Sequence, residues 1–410
     1  MFIVDQSAVS YSDPWNETLD DRLRNLYKGK RRVAYFYTRP DNSTFRYRVY
    51  NMLESLAHID DEFSGSYFTA DDIEALYDIL DDIEVLVFCR VHYTAKVSQL
   101  IFRARTCGVR LLFDVDDLVF DPEFVHLVVD TVGQNISDSH EMWVTWFADF
   151  ARTGAVMRLC DGGITTNAFL ANRIRSYAGF PVDIIPNFLN PWQLRLSEQI
   201  YNTKLQRRFA RDGRIHIGYF SGSPTHNKDF AIVSNAIEGL MDADSRIVLR
   251  IVGFLDLTST LRQYMPRIEF FPLTDFVNLQ RLIGEVEINV VPLQNNTFTN
   301  CKSELKYFEA GIVGTLTIAS RTFTLCNSIR EGHTGFLAHS WEWRERIEQL
   351  IEALESDCYP DLAKEAFADC RANYSPEAFS GCIRSVLFGA ADGEKCRSHE
   401  VGALRLAGTL

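Results

Sequence analysis

The stretch VEINVVPLQNNTFTNCKSELKYFEAGIVGTLTIAS, residues 286–320, decides the fold of this 410-residue chain. It begins and ends with short β-branched runs, 287–291 and 315–319, which predict two buried strands. Between them lie a polar loop over 292–301 and a segment over 302–313 with apolar residues at helical spacing. A strand, a helix and a second strand in this order predict a βαβ unit with parallel strands. We therefore expect an α/β fold.

Charged residues follow the apolar face of the predicted helix. Lys302, Lys306 and Glu309 are spaced four and then three residues apart, so they form a ridge along one side of it. A helix that follows a strand points its positive amino end into the crevice where α/β sheets bind ligands. Lys302, near that end, suits a phosphate group, and Glu309 suits hydroxyl groups. The alternative is a surface Lys–Glu pair that only stabilises the helix.

The same segment resembles a known family. Glu309-Ala310, then Gly314, then Thr317-Ile318-Ala319-Ser320 are similar to the pattern E-A-x-x-x-G-x-P-x-I-A-S, with Leu316 in place of the usual proline. This is the donor-site pattern of GT-B glycosyltransferases of family 4, the group 1 glycosyltransferases of rhamnosyl- or hexosyltransferase type. The resemblance implies two Rossmann-like domains that face each other across a cleft.

The resemblance also implies roles for individual residues. Glu309 corresponds to the family's ribose-binding glutamate, and Lys302 and Ser303 join it as donor contacts, with Lys302 also a catalytic candidate. The family has a second glutamate eight positions earlier, and in this chain Cys301 stands there. Any of three neighbouring residues could take the role of this glutamate: Asn300, Lys302 or Glu304.

Length and pattern predict two domains. With the roles that the resemblance implies, we expect an arm over 1–30, an acceptor domain over 31–190, a linker over 191–210 and a nucleotide-sugar donor domain over 211–375. For the last part, 376–410, the resemblance implies a helix that crosses back to the first domain, followed by a tail.

Composition narrows the possible partners. A net charge of −13 argues against nucleic acid as the main partner. The nine cysteines include no C-x-x-C pair, which argues against zinc and is typical of reduced thiols in a cytoplasm. No apolar run approaches the length of a membrane span. The basic run at 28–32 could touch an anionic membrane from the cytoplasmic side, but it also fits a solvated gatekeeper beside the first strand.

The first predicted strand, 33–37, is followed by TRPDNSTFRYR, residues 38–48. Family members often have a glycine-rich loop here, and this chain has none. Arg46 and Arg48, near the predicted helix start, could instead bind an anionic acceptor or the donor diphosphate. Solvent-exposed arginines on a helix are the alternative.

Three carboxylates follow the strand over 110–113: Asp114, Asp116 and Asp117. Their repulsion at the end of a strand is typical of a functional site. Read as D-x-D, they are similar to the metal-binding signature of GT-A glycosyltransferases; read as a helix cap, they are structural. In a GT-B protein this loop faces the acceptor, so Asp116 or Asp117 is predicted to act as a base or to position an acceptor hydroxyl.

A second anion site is predicted after the strand over 215–220. The turn that follows is rich in small residues and precedes a helix, so backbone N–H groups can meet a phosphate there. It resembles the family's second donor loop. In that interpretation Gly222 and Lys228 reach the diphosphate and His226 lies beside the sugar.

Together these features predict a glycosyltransferase that moves a hexosyl or deoxyhexosyl unit from a dTDP-, UDP- or GDP-sugar to a glycan or lipid-linked acceptor in cell-surface polysaccharide synthesis. We expect no metal and no other cofactor, because lysines and backbone dipoles can stabilise the leaving diphosphate. A homodimer and peripheral association with the inner face of a membrane are further expectations. The alternatives are a GT-B sugar-nucleotide epimerase and an inactive GT-B subunit that serves a partner enzyme.

Overall fold

The computed structural model describes residues 1–57, 62–129, 139–223 and 227–389. Their strands form two six-stranded parallel sheets, one in each half of the chain. Strands such as Val85–Cys89 and Leu316–Ser320 are buried along their whole length. Parallel strands covered by helices on both faces are rich in apolar and branched residues, as both segments are. The predicted α/β class is confirmed.

The first domain has the strand order β2-β1-β3-β4-β5-β6. Its elements are α1 (Leu19–Leu26), β1 (Arg31–Phe36), a π-helical turn (Arg46–Tyr50), α2 (Asn51–Ala57), β2 (Phe63–Phe68), α3 (Ile73–Asp78), β3 (Val85–Cys89), α4 (Ala95–Thr106), β4 (Arg110–Asp114), α5 (Val125–Val129), α6 (His140–Met157), β5 (Gly162–Thr165), α7 (Ala168–Ala178) and β6 (Val182–Ile184). The strand β2 was not predicted, because FSGSYF lacks the β-branched composition that marks the other strands.

The second domain has the order β12-β11-β10-β7-β8-β9. Its elements, after the connecting helix α8 (Pro191–Gln206), are β7 (Ile215–Ser221), α9 (Asn227–Ala243), β8 (Ile247–Gly253), β9 (Ile268–Phe271), α10 (Phe276–Glu285), β10 (Ile288–Val291), α11 (Thr297–Asn300), α12 (Leu305–Gly311), β11 (Leu316–Ser320), α13 (Phe323–Ser328), β12 (Phe336–Ala338), α14 (Trp343–Glu355) and α15 (Tyr359–Asn373). The predicted unit over 286–320 is present, with β10 and β11 paired in parallel.

The helix predicted over 302–313 is wrong at its start. The structure has a four-residue helix, α11, then a turn, and α12 begins only at Leu305. The turn is displaced because Phe298 and Cys301 pack into the core of the first domain. Lys302 therefore lies in a turn between the domains and not on the same helix as Glu309.

Two further segments tie the domains together. Helix α16 (Ser380–Phe388) packs on the first domain, where Arg110 donates to the carbonyl of Val386 at 2.9 Å. The N-terminal arm starts on the second domain, where the backbone N–H of Phe2 donates to the carbonyl of Glu285 at 2.8 Å. It ends on the first domain, where the ring of Trp15 packs edge-on against Phe45 at 5.5 Å.

Two expectations about the environment can be compared with the structure. Within the described ranges, no helix combines the length and apolarity that crossing a bilayer requires. The described free thiols are Cys89, Cys107, Cys160, Cys301, Cys326, Cys358 and Cys370. Cys382 is disulfide-bonded, so the expectation of reduced thiols is wrong at that position.

Candidate active site

The cleft between the domains brings together most of the predicted site. The loop after β4 lies on one side and the segment from Cys301 to Glu309 on the other. Direct contacts join them: Asn187 donates to the Ser303 hydroxyl at 3.0 Å, and Asn167 donates to the carbonyl of Cys301 at 2.8 Å. The predicted donor segment is therefore docked on the first domain.

Glu309 lies on α12 at the centre of a buried polar network. Its Oε1 atom accepts hydrogen bonds from Arg46 at 3.2 Å, from the Tyr47 hydroxyl at 2.5 Å and from Gln193 at 3.3 Å. All three donors come from outside the second sheet. The Oε2 atom accepts no hydrogen bond from the part of the chain that the structure describes. The network thus fixes the orientation of the carboxylate and leaves one oxygen for a ligand.

Arg46 was predicted to bind an acceptor or the donor diphosphate, but its side chain is buried and contacts protein groups instead. Its side chain is 5% exposed and bonds the carbonyl of Asn42 and the amide of Gln193 as well as Glu309. Its guanidinium also lies 4.9 Å from the ring centroid of Phe276. With its donors directed at protein groups, Arg46 orients Glu309, and we assign it a positioning role.

Arg48 and Asp114 form a fully buried ion pair. The guanidinium bonds the carboxylate at 2.8 and 3.1 Å and also donates to the carbonyl of Ile185 and to Asn187. Burial raises the pKa of Asp114 to about 6, although Arg48 opposes this shift. Both side chains have zero exposure, so the predicted ligand contact of Arg48 and the D-x-D metal interpretation of Asp114 are wrong.

Asp116 and Asp117 remain partly open to the cleft, with side-chain exposures of 13% and 23%. Thr44 donates to Asp116 at 3.1 Å, Arg90 lies 3.4 Å from Asp116 and 3.7 Å from Asp117, and Lys302 lies 3.6 Å from Asp117. Burial, reinforced by Asp117, raises the pKa of Asp116, and Arg90 opposes the rise. Charges of both signs from the two domains therefore meet here.

Sequence reasoning missed Arg90. It follows β3 directly and has a φ of 51°, a left-handed conformation that is uncommon outside glycine. Such backbone outliers concentrate at functional sites. Its position after a strand was visible in the sequence, but neither its backbone conformation nor its neighbours Asp116 and Asp117 were.

The residues at and beside position 301 have separate roles. Cys301 is fully buried, and burial raises the pKa of its thiol to about 12, so it offers no ligand group. Asn300 accepts from the backbone of Phe323 and donates within its own loop. Glu304 is buried against the Tyr374 hydroxyl at 3.1 Å. Of the three suggested replacements for the missing glutamate, Lys302 alone has its charged group in the cleft.

The loop after β7 forms the other wall of the predicted donor site. Gly222 is exposed, and a Cβ atom at this position would meet open space, so a ligand could approach the backbone closely. Lys228, at the start of α9, is also exposed. His226 lies outside the described residues. Lys306, half-buried on α12, points into the same region beside the ring of Tyr219.

Three possible metal ligands lie close together elsewhere. Asp212, His216 and Glu287 form a group whose ligand atoms are within 4.8 Å of one another. They lie at the amino ends of β7 and β10, the edge of the sheet opposite the cleft. The terminal ammonium of Met1 contacts Asp212 and lies 3.1 Å from Glu287. Among the described residues, the carboxylates at 114–117 belong to no such group.

Two parallel α/β domains that face each other across a cleft are the arrangement of the GT-B fold. Residues 214–356 match the family model "Glycosyl transferases group 1". The predicted resemblance and the predicted fold are confirmed. A comparison with curated proteins gives no match.

Solved structures share this fold. Alr3699/HepE from Anabaena, in complex with UDP and glucose, has a TM-score of 0.57 at 12% identity, over 87% of this chain and 99% of that chain. Sucrose-phosphate synthase from Thermosynechococcus elongatus has a TM-score of 0.56 at 16% identity, over 88% and 100%. A glycosyltransferase from Rickettsia africae gives 0.56 at 10% identity, over the same shares. At these identities the likeness shows the fold alone.

Proposed function

We propose that this protein is a family 4 glycosyltransferase that moves a hexosyl or deoxyhexosyl unit from a nucleotide sugar to a glycan or lipid-linked acceptor in cell-surface polysaccharide synthesis. The observation that carries the proposal is the carboxylate of Glu309. Three donors hold its Oε1 atom, and its Oε2 atom has no protein partner among the described residues. A carboxylate oriented in this way is suited to accept a hydrogen bond from a ribose hydroxyl.

The diphosphate of the donor would lie between the two loops of the second domain. Lys228 and Lys302 supply positive charge, and the backbone around Gly222 can approach a phosphate oxygen closely. Lys302 remains the catalytic candidate of the two lysines, and its contact with Asp117 places it at the boundary between the domains. Positive groups that face the leaving diphosphate stabilise its developing charge without a metal ion.

The acceptor would bind on the side of the first domain. Asp116 and Asp117 are the partly exposed carboxylates of this wall, and Arg90 holds them together. A carboxylate within reach of an acceptor hydroxyl can take its proton or fix its direction. In this proposal Asp116 and Asp117 act on the acceptor, and the second domain acts on the donor.

Binding of nucleotides to the purified protein tests the donor assignment. The HepE structure is a complex with UDP and glucose, so UDP is the first probe, with dTDP and GDP in parallel. A specific nucleotide at one hundred times its Kd should stabilise the protein by about 2.7 kcal/mol in a thermal-shift assay. If none of the three stabilises the wild-type protein, the proposed function is wrong.

The variant Glu309→Gln then tests the ribose contact. We expect its affinity for the nucleotide to fall about ten- to a hundredfold, because a hydrogen bond to a charged group is worth about 1.5–3 kcal/mol. The matched control is Glu352→Gln, an exposed position on α14. The 3′-deoxy analogue of the nucleotide should bind both Glu309→Gln and the wild type weakly. An unchanged preference for the 3′-hydroxyl in Glu309→Gln would contradict the contact.

A second candidate function is an inactive GT-B subunit that supports a partner enzyme. The buried Cys301 favours it, because no carboxylate stands where family members have one. Transfer of sugar, or release of free nucleotide from a nucleotide sugar, by the purified protein separates the two functions. Binding without any turnover would favour the inactive subunit.

A further inference from the structure

Lys306 has surroundings that differ from those of the other lysines near the cleft. It lies on the first turn of α12, and its Nζ atom is 5.6 Å from the ring centroid of Tyr219 on β7. Side chains on a helix point back toward its amino end, which here faces the crevice at the carboxyl ends of β7 and β10. The ammonium group is thus directed into the predicted donor site.

The ammonium group of Lys306 has no hydrogen-bonding and no ion-pair partner among the described residues. It makes no hydrogen bond and no ion pair there. The two carboxylates whose charges act on Lys306 have other partners, since Asp229 accepts from the backbone of Gln294 at 2.9 Å and Glu309 accepts from Arg46. A half-buried ammonium without an acceptor is costly, so the surroundings of Lys306 favour a bound anion.

Lys204 is a buried lysine with a structural role, and it serves as a comparison for Lys306. That ammonium group is fully buried and donates to the carbonyls of Val313 and Gly314 and to the hydroxyl of Thr315, at 2.9, 2.9 and 3.2 Å. All three of its donors are satisfied by protein oxygens. Lys302, in turn, has its ion-pair partner in Asp117. Within the described ranges, Lys306 has neither kind of partner.

We propose that Lys306 is the principal cation for the donor diphosphate, ahead of the ion-paired Lys302. This inference rests on the proposed function and assigns its phosphate site to a particular residue. The groups that face Lys306 are Lys302, Asp229 on α9, Glu309 on its own helix and the ring of Tyr219. A diphosphate placed here would also meet the open backbone of Gly222.

The charge state of Lys306 gives the proposal a distinctive signature. Burial, followed by the nearby charge of Lys302, lowers its pKa to about 8, while Asp229 and Glu309 oppose the shift. At pH 8 the free protein therefore carries about half a proton at this site, and a bound diphosphate favours the protonated form. Nucleotide binding at pH 8 should take up about half a proton, which calorimetry in two buffers of different ionisation enthalpy measures directly.

The test compares Lys306→Met with Lys364→Met, which changes an exposed lysine on α15. The probe is UDP, dTDP or GDP, whichever binds best, together with its nucleoside. We expect Lys306→Met to bind the nucleotide about ten- to a hundredfold more weakly, to leave nucleoside affinity unchanged and to abolish the proton uptake. Lys364→Met should behave as wild type in all three measurements.

The melting temperature of the ligand-free variant separates a binding role from a structural one. Removing an unpaired, half-buried cation should leave the melting temperature of Lys306→Met unchanged or higher, with Lys306→Gln as a second variant. If Lys306→Met keeps wild-type nucleotide affinity and proton uptake, the inference is wrong while the proposed function stands. If the wild-type protein binds none of the nucleotides, the proposed function and the inference fail together.

Discussion

Replacing Glu304 by glutamine should change how the stability of this protein depends on pH. Glu304 is 6% exposed, its Oε1 atom accepts from the Tyr374 hydroxyl, and its Oε2 atom has no partner within the described ranges. It lies where the chain crosses between the domains, since the carbonyl of Tyr374 accepts from the backbone of Leu189. Burial raises the pKa of Glu304 from 4.5 to about 7, and the bond from Tyr374 opposes the rise.

The sign of the effect follows from this raised pKa. Below about pH 4.5 the carboxyl group of Glu304 is protonated in both the folded and the unfolded chain, so it does not make the stability depend on pH. Between about 4.5 and 7 the folded chain holds the proton more tightly, so stability falls as pH rises. Integrating this difference from pH 5 to pH 8 gives a loss of about 2.5 kcal/mol in the free energy of unfolding from this one group.

Urea unfolding of the wild type and of Glu304→Gln at pH 5, 6, 7 and 8 measures this loss. Glutamine does not titrate, so the variant should gain about 2.5 kcal/mol relative to the wild type between pH 5 and pH 8. Tyr374→Phe should move the wild-type transition to higher pH, because it removes the bond that favours the charged form. The exposed Glu352→Gln is the control. Parallel pH profiles for Glu304→Gln and the wild type would refute the reasoning.

The remaining predictions concern the first domain. Asp116→Asn or Asp117→Asn should lower turnover far more than donor affinity. EDTA should leave transfer by the wild type largely intact. Complete inhibition by EDTA that Mn²⁺ reverses would contradict the metal-free assignment of this loop. If Asp116 is the base, turnover should rise with pH, and the rise should lie at higher pH than the titration of an ordinary aspartate. The reason is that burial raises the pKa of Asp116. Arg48→Met should destabilise the protein by about 3–5 kcal/mol without changing nucleotide affinity, since it leaves Asp114 buried and unpaired. The double variant Arg48→Met, Asp114→Leu should recover most of that loss in urea unfolding, and a further loss would show that the pair is not the cause.

Local pattern was sufficient to predict the α/β class and most of the strands, although it missed β2. The apolar runs that became β3, β4, β7, β10 and β11 are short and rich in branched residues, because parallel strands bury both faces. Helix caps such as Thr94, Asn167 and Asn190 bond the first turn of the next helix, as their side chains allow. These signals act over a few residues, so they can be recognised before the chain is folded.

Partners distant in sequence decided the site. Arg48 looked like a free cation, but its carboxylate partner comes from the end of another strand. Cys301 occupied a ligand position in the pattern, but the turn around it packs into the core of the opposite domain. Arg90 gained its significance from a backbone angle and from two aspartates across a loop. Burial and pairing depend on which surfaces meet, and that is fixed only when the two domains close on each other. The sequence by itself therefore determined the class of fold and the residue types of the donor segment, whereas the tertiary structure decided which charges are paired and which are left for a ligand.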